Sequence, residues 1–163
     1  HLSIRRQRQM CIRDRFKEEL FTASKGEGAY LNNERIRVTI SKGLEDTLIG
    51  TGFPFKNPQH LDCYLDTFKA ILPHVSDIRR AGAAALDLAY VAAGRLDGFW
   101  EIGLNSWDMA AGALLVKEAG GFIGDFSGRD KYMETGNVVA GNADAYKEIL
   151  KKIHPHLTSD LQR

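Results

Sequence analysis

Two carboxylates stand seven residues apart in a stretch that reads EIGLNSWDMAAGALLVKEAGG, Glu101 to Gly121. Asp108 follows Ser106 and Trp107 and precedes a run of helix formers from Met109 to Ala119. Gly120-Gly121 closes that run, as expected where the backbone leaves a helix at positive φ. A carboxylate at a helix N-terminus faces the positive end of the helix dipole and unpaired N–H groups, so its oxygens can also serve a cation or a polar ligand. Ala110, Ala111, Gly112 and Ala113 are small and let another backbone approach closely. Glu101 closes Gly98-Phe-Trp-Glu, which reads as a short strand. A strand ending in one carboxylate and a helix opening with another would converge at one edge of a sheet. Taken alone, the residues read more readily as a capping aspartate and a solvated strand end, since capping aspartates are common.

A second candidate surface lies upstream, in Arg79-Arg-Ala-Gly-Ala-Ala-Ala-Leu-Asp-Leu-Ala-Tyr-Val-Ala-Ala-Gly94. Gly82 would let the chain turn sharply into a helix over residues 83–93, which Gly94 ends. The free N–H groups of Ala83 and Ala84 would form a lip for an anion or a hydroxyl. Arg79 could add a bidentate cation there. The alanines also permit tight helix–sheet packing with solvated arginines, and the two readings are compatible. His60 and His74 have no acidic partner at metal-ligand spacing and read as surface histidines. Gly26-Glu-Gly28 reads as a turn, being too short a pattern for a phosphate loop.

The elements that must position these residues follow from periodicity. Glu18–Ala23, Ala29–Leu31 and Arg35–Thr39, separated by Gly26-Glu-Gly28 and Asn32-Asn33, predict a β-meander. Thr47–Thr51 reads as a buried strand. Residues 58–72 carry Leu61, Leu65, Phe68, Ile71 and Leu72 at helical spacing, between Pro58 and Pro73. Leu96-Asp97-Gly98 reads as a turn into the strand ending at Glu101. Phe122–Phe126 and Val138–Ala140 read as strands around a turn at Ser127–Asp130, and Asn142 would cap a helix over Ala143–Ile153. Strands and helices alternate after the meander, which predicts an α/β chain.

Composition suits one soluble domain, with 44% apolar and 26% charged residues and a formal charge of +1. The charge is uneven. Residues 1–15 hold five arginines and one aspartate, while the rest holds seventeen basic and twenty acidic side chains. The leader HLSIRRQRQMCIRDR shows no period that would bury it. An arginine-rich arm for nucleic acid is one reading. The other, preferred here, is a non-native leader at residues 1–15, since the string resembles translated sequencing-adapter sequence. Cys11 and Cys63 form no metal-ligand spacing or disulfide framework, which fits a reducing cytoplasm. No apolar run reaches membrane-spanning length.

Trp107-Asp108-Met-Ala-Ala-Gly112, followed by Glu118-Ala-Gly-Gly121, resembles the C-terminal motif of the inositol monophosphatase family. ELFTASKGEGAYLNNERIRV resembles the family's middle strands, and the Arg79–Gly94 segment resembles its bacterial members. The resemblance covers residues 16–153. It implies a sugar-phosphatase fold of α/β (α+β layered) type, here the C-terminal half plus a β-meander from the edge of the N-terminal sheet. Residues 16–40 would be the meander, 41–153 the C-terminal α/β domain, and 154–163 a frayed tail. The implied activity is magnesium-dependent hydrolysis of inositol monophosphate or a similar polyol or sugar phosphate. Carried over by position, Asp108 is a metal ligand that also touches substrate and Glu101 a hydrogen-bond partner of a substrate hydroxyl. Gly82, Ala83 and Ala84 form the backbone lip, and Arg79 is a substrate-binding arginine. The family's usual assembly is a homodimer. Its upstream glutamate pair and its Asp-Pro-x-Asp-Gly-Thr motif, which supply the other metal ligands, occur nowhere in the 163 residues. Related phosphatases for fructose bisphosphate, histidinol phosphate or adenosine bisphosphate share the Trp-Asp motif. Glu101 favours a polyol monophosphate among these. The reading from another class is a non-enzymatic module that binds RNA or a transcription complex. The only feature in support of it is the basic leader, so nucleic acid is not the expected partner, and no membrane contact is expected.

Overall fold

The structure, a computed structural model, describes residues 9–162. Gln9–Asp14 (β1), Glu19–Ser24 (β2), Gly28–Leu31 (β3) and Glu34–Arg35 (β4) form an antiparallel meander in that order. Asn32 and Asn33 take positive φ values of 47° and 71° in the β3–β4 turn, a conformation asparagine tolerates. The strand expected over Arg35–Thr39 is in the ladder only at its start. Beyond it, the Ile36 N–H donates to Ala29 and the Val38 N–H to the Ala119 carbonyl, at 2.9 and 3.2 Å.

Residues 9–14 were expected to stand outside the fold with the leader. They pair along their whole length with β2, from Gln9 opposite Ser24 to Asp14 opposite Glu19. The cause is a period of two beneath the arginines: Met10, Ile12 and Asp14 turn inward, while Gln9, Cys11 and Arg13 face out. Ile12 packs on the main core. The rest of the leader reading, residues 1–8, lies outside the described residues.

The second sheet contains Leu48–Thr51 (β5), Asp77–Arg79 (β6), Gly98–Glu101 (β7), Phe122–Gly124 (β8) and Val138–Gly141 (β9), in the order β6-β5-β7-β9-β8. Strand β5 runs parallel to both β6 and β7, and β9 is antiparallel to β7 and β8. The helices are Leu61–Ile71 (α1), Ala84–Ala92 (α2), Ser106–Glu118 (α3), Tyr132–Thr135 (α4) and Ala143–Ile153 (α5). Neither β6 nor α4 is legible in the sequence, because three residues and one turn are too short to show a period.

Strand β7 is buried on both faces and divides two cores. Phe99 packs with Leu88, Val91, Met109 and Leu115 of α2 and α3, and with Phe21 of the meander. Trp100 points the other way, to Tyr64 and Ile71 of α1 and Ile149 and Ile153 of α5. Four layers result: the meander, α2 with α3, the five-stranded sheet, and α1 with α5. This is the expected layered α/β architecture. Asn142 caps α5, accepting the N–H groups of Asp144 and Ala145. The tail, expected to fray from residue 154, is packed instead. After a 3-10 turn at His154–His156, Leu157 and Leu161 are buried in the second core. Their spacing of four residues brings both onto one side, a signal too short to read without the partner surface.

Candidate functional site

A pocket of about 340 Å³ opens where β5 and β7 end and α2 and α3 begin. Carboxyl ends of parallel strands and N-termini of helices meet there, the usual place for a ligand in an open α/β sheet. The loop Gly52–Lys56, Arg80, Gly82–Ala85, Glu101–Leu104 and Asp108 line it.

Asp108 is the third residue of α3. The helix starts two residues earlier than the sequence suggested, with Asn105 as its N-cap. Asp108 Oδ2 reaches back to accept the Asn105 backbone N–H at 3.0 Å and its side-chain Nδ2 at 3.4 Å. The other carboxylate oxygen takes no hydrogen bond from the described residues, and Asp108 is part of the pocket wall. Trp107, its neighbour in the motif, is exposed.

Glu101 ends β7 with 9% of its surface exposed. No hydrogen bond or ion pair from the described residues holds its carboxyl. Burial pushes that carboxyl up to about 7, and the negative charge of Asp87 pushes the same way, while Arg80 opposes both. Asp87, on α2, is 2% exposed. Burial pushes it up to about 6, against an N–H from Ala83 and the charge of Arg80, and its Oδ2 has no hydrogen-bond partner. Sequence reasoning passed over Asp87. The available signal was a single acid inside the apolar run AAALDLAYVAA.

Gly82, Ala83 and Ala84 come together at the pocket as expected. Gly82 has φ of 87°, which a side chain rarely adopts and which aims the chain into α2. Because the Ala83 N–H turns to Asp87, the first-turn N–H groups left for a ligand are those of Ala84 and Ala85. The expected arginine is displaced by one position. Arg79 lies on the exposed side of β6 beside Asp77, with which it pairs at 3.1 Å. Arg80, the next residue, faces the pocket with its guanidinium 5.0 Å from the Phe53 ring centre. Arg79 is the last residue of β6, the unforeseen strand, and Arg80 is the first residue beyond it.

Asp97 and Asp125 are held by hydrogen bonds within loops and turns. Asp97 accepts the Ser41 hydroxyl and the Leu48 N–H, clamping the entry to β5. Asp125 accepts the N–H groups of Ser127 and Arg129 in a turn. Among the described residues no group of three His, Cys, Asp or Glu side chains is placed to hold a metal ion. Magnesium takes hard oxygen ligands, and the pocket offers the carboxylates of Asp108 and Glu101 without a third acid from the described residues beside them.

The sequence profile of the inositol monophosphatase family matches residues 10–162, and the chain belongs to that family. Nus factor SuhB of Pseudomonas aeruginosa is 54% identical over 154 residues, covering 93% of this chain and 57% of that protein. Extragenic suppressor protein suhB of Bartonella henselae, a crystal structure, superposes with a TM-score of 0.86 at 45% identity, covering 89% of this chain and 55% of that one. Inositol monophosphatase of Anabaena superposes with a TM-score of 0.84 at 34% identity, over 89% of this chain and 59% of that one. The chain thus spans little more than half the length of the relatives it matches.

Proposed function

We propose that this chain contributes the substrate-binding half of a magnesium-dependent phosphate monoesterase acting on inositol monophosphate or a similar polyol or sugar phosphate. The observation that carries the reading is the convergence of Asp108, Glu101, Arg80 and the α2 N-terminus on one pocket. In this reading Asp108 holds magnesium and touches the substrate. Glu101 accepts a substrate hydroxyl, Arg80 attracts the anion, and the Ala84 and Ala85 N–H groups receive an oxygen of the ligand. The fixed capping bond at Asp108 Oδ2 leaves one oxygen for the metal in a constant orientation. Bound magnesium supplies polarisation of the phosphate, activation of a water and stabilisation of the leaving alkoxide. Several shared carboxylates are needed to hold such ions, so the activity belongs to a protein of the relatives' length. The name of the Anabaena relative, inositol monophosphatase, supports this class. A panel of inositol, fructose, histidinol, adenosine and glycerol phosphates tests it. Histidinol phosphate turning over well ahead of inositol 1-phosphate would replace the polyol reading.

A second reading has its own support, the name Nus factor borne by the P. aeruginosa relative. The chain would then serve as an interaction module in a transcription complex. The exposed aromatic side chains Phe53, Phe55 and Trp107 offer such a module contact area near the pocket. RNA binding measured against salt for residues 9–163 separates the two, since phosphate contacts give a steep salt dependence.

A further inference from the structure

Arg80 lines the pocket, yet no carboxylate holds it. Arg79 is paired with Asp77 at 3.1 Å and Arg95 with Glu19 at 2.6 Å, whereas no ion pair or hydrogen bond from the described residues fixes Arg80. Its guanidinium stands instead over the Phe53 ring, 5.0 Å from the ring centre, within the range of cation–π attraction. Its Nη1 also lies beside Gly82, where an added methyl carbon would be only 2.8 Å away. Phe53 is half exposed but firmly seated. It meets Tyr64 edge to face, with ring centres 5.6 Å apart and planes at 87°. Tyr64 is fully buried on α1 and stacks on the equally buried Trp100 at 6.2 Å. The Tyr64 and Thr51 hydroxyls share a hydrogen bond of 3.3 Å at the end of β5, two residues before Phe53. The loop is braced by its own backbone as well. The Phe55 N–H donates to the Phe53 carbonyl at 2.8 Å and the Asn57 N–H to the Pro54 carbonyl at 2.9 Å. The other cation of the pocket, Lys56, is placed in the same manner, with its Nζ 5.9 Å from the Phe55 ring centre.

We propose that Phe53 is a positioning residue for anion binding: its ring holds the Arg80 guanidinium at the pocket wall, apart from Glu101 and Asp108, so that charge and N–H donors stay available to a phosphate group. Glu101 and Asp108 line the same pocket. A guanidinium that swung onto either carboxylate would form a bidentate pair and lose most of its pull on an anion. It would also occupy an acid that the ligand or its metal needs. A ring attracts the cation without bringing a negative charge to cancel it. Because Arg80 is already in place, less side-chain freedom is lost when a ligand arrives. The use of Arg80 for a phosphate rests on the polyol-phosphate reading, whereas the hold of Phe53 on Arg80 does not.

The test is NMR of the 163-residue chain, with Phe53→Leu, Phe53→Tyr and Arg80→Ala beside the wild type. The Arg80 Nε–H resonance, assigned by its loss in Arg80→Ala, should be moved upfield by the ring in the wild type and in Phe53→Tyr. In Phe53→Leu it should return to the position of the exposed Arg79. Inorganic phosphate titrated into the same samples should bind about two- to fivefold more weakly to Phe53→Leu, the loss of one cation–π contact, and as tightly to Phe53→Tyr as to the wild type. With Arg80→Ala already present, Phe53→Leu should weaken phosphate no further, since the two side chains act through one contact. An Arg80 resonance that ignores Phe53→Leu, or an equal loss of affinity with and without Arg80, overturns the proposal. Should Phe53→Leu fail to fold, a wild-type Arg80 resonance at the position of Arg79 overturns it alone. A resonance that responds as expected while no form of the chain binds phosphate would sink the polyol-phosphate reading and leave the hold on Arg80 standing. Phosphate binding that needs Arg80 but is indifferent to Phe53 would do the opposite.

Discussion

The Glu101 carboxyl lies directly against the Cα of Gly52, so closely that a methyl group on Gly52 would overlap it. Gly52 begins the loop after β5, and Glu101 ends the neighbouring parallel strand β7. The glycine is required by that close approach, since its φ is not in the left-handed region. Gly52→Ala should therefore push Glu101 out of place while leaving the sheet intact. In a protein of the relatives' length the expected result is a rise in KM for polyol phosphates of about tenfold or more, the equivalent of one lost hydrogen bond to a charged group. An unchanged KM would show that Glu101 does not bind the substrate.

The Tyr90 hydroxyl donates to Asp14 Oδ2 at 2.9 Å and accepts from Lys17 Nζ at 2.9 Å, tying β1 to α2. Removing residues 1–15 takes away Asp14, Ile12 and all of β1. The thermal midpoint should fall by at least about 3 °C, the change that roughly 1 kcal/mol makes in a chain of this size. Tyr90→Phe should lower it by less. Equal midpoints for the chain with and without residues 1–15, measured by circular dichroism, would show that β1 adds nothing to the fold.

Glu101 also predicts how stability varies with pH. Its carboxyl is raised from 4.5 to about 7 in the folded chain, so folding favours the protonated form. The stabilisation is complete below the unfolded value and is lost as pH rises through 7, for a difference of about 3 kcal/mol. Asp87 acts in the same direction over a lower range, from 3.8 to about 6. Glu101→Gln cannot ionise, so relative to wild type it should gain stability between pH 4.5 and about pH 7 and hold that gain above it. Denaturant midpoints with a constant difference across that range would contradict the buried, unpaired state of Glu101.

Arg79 and Arg80 are adjacent in sequence and differ in role. Arg80 opposes the rise of the Glu101 carboxyl, whereas Arg79 is exposed and paired with Asp77. Arg80→Ala should move the Glu101 titration upward and weaken binding of inorganic phosphate, and Arg79→Ala should change neither. The reverse pattern would return the pocket role to Arg79.

The sequence made the two carboxylates at the site legible because each sits at the end of a regular element. A strand that stops at Glu101 and a helix that starts near Asp108 can be read from periodicity alone. The Trp-Asp motif then told which family these ends belong to. The register of side chains in elements too short to show a period was beyond reach. Strand β6 is three residues long and ends at Arg79, so where it stops decides between Arg79 and Arg80. Asp87 was missed for a different reason. Its place in an apolar helix was visible, but its nearness to Glu101 depends on how α2 crosses β7, which no local pattern encodes. The arginine-rich opening misled in the same way, since composition drew attention from the alternation of Met10, Ile12 and Asp14.

The central claim is that Asp108 is the metal-binding carboxylate of a phosphate monoesterase. It is tested most directly by phosphate release from inositol 1-phosphate with magnesium, comparing a protein of the relatives' length with its Asp108→Asn variant. The account predicts a magnesium-dependent rate that falls about a hundredfold or more in the variant, as when one preorganised electrostatic element is removed. Equal rates for the two proteins, or release that does not depend on magnesium, would contradict it.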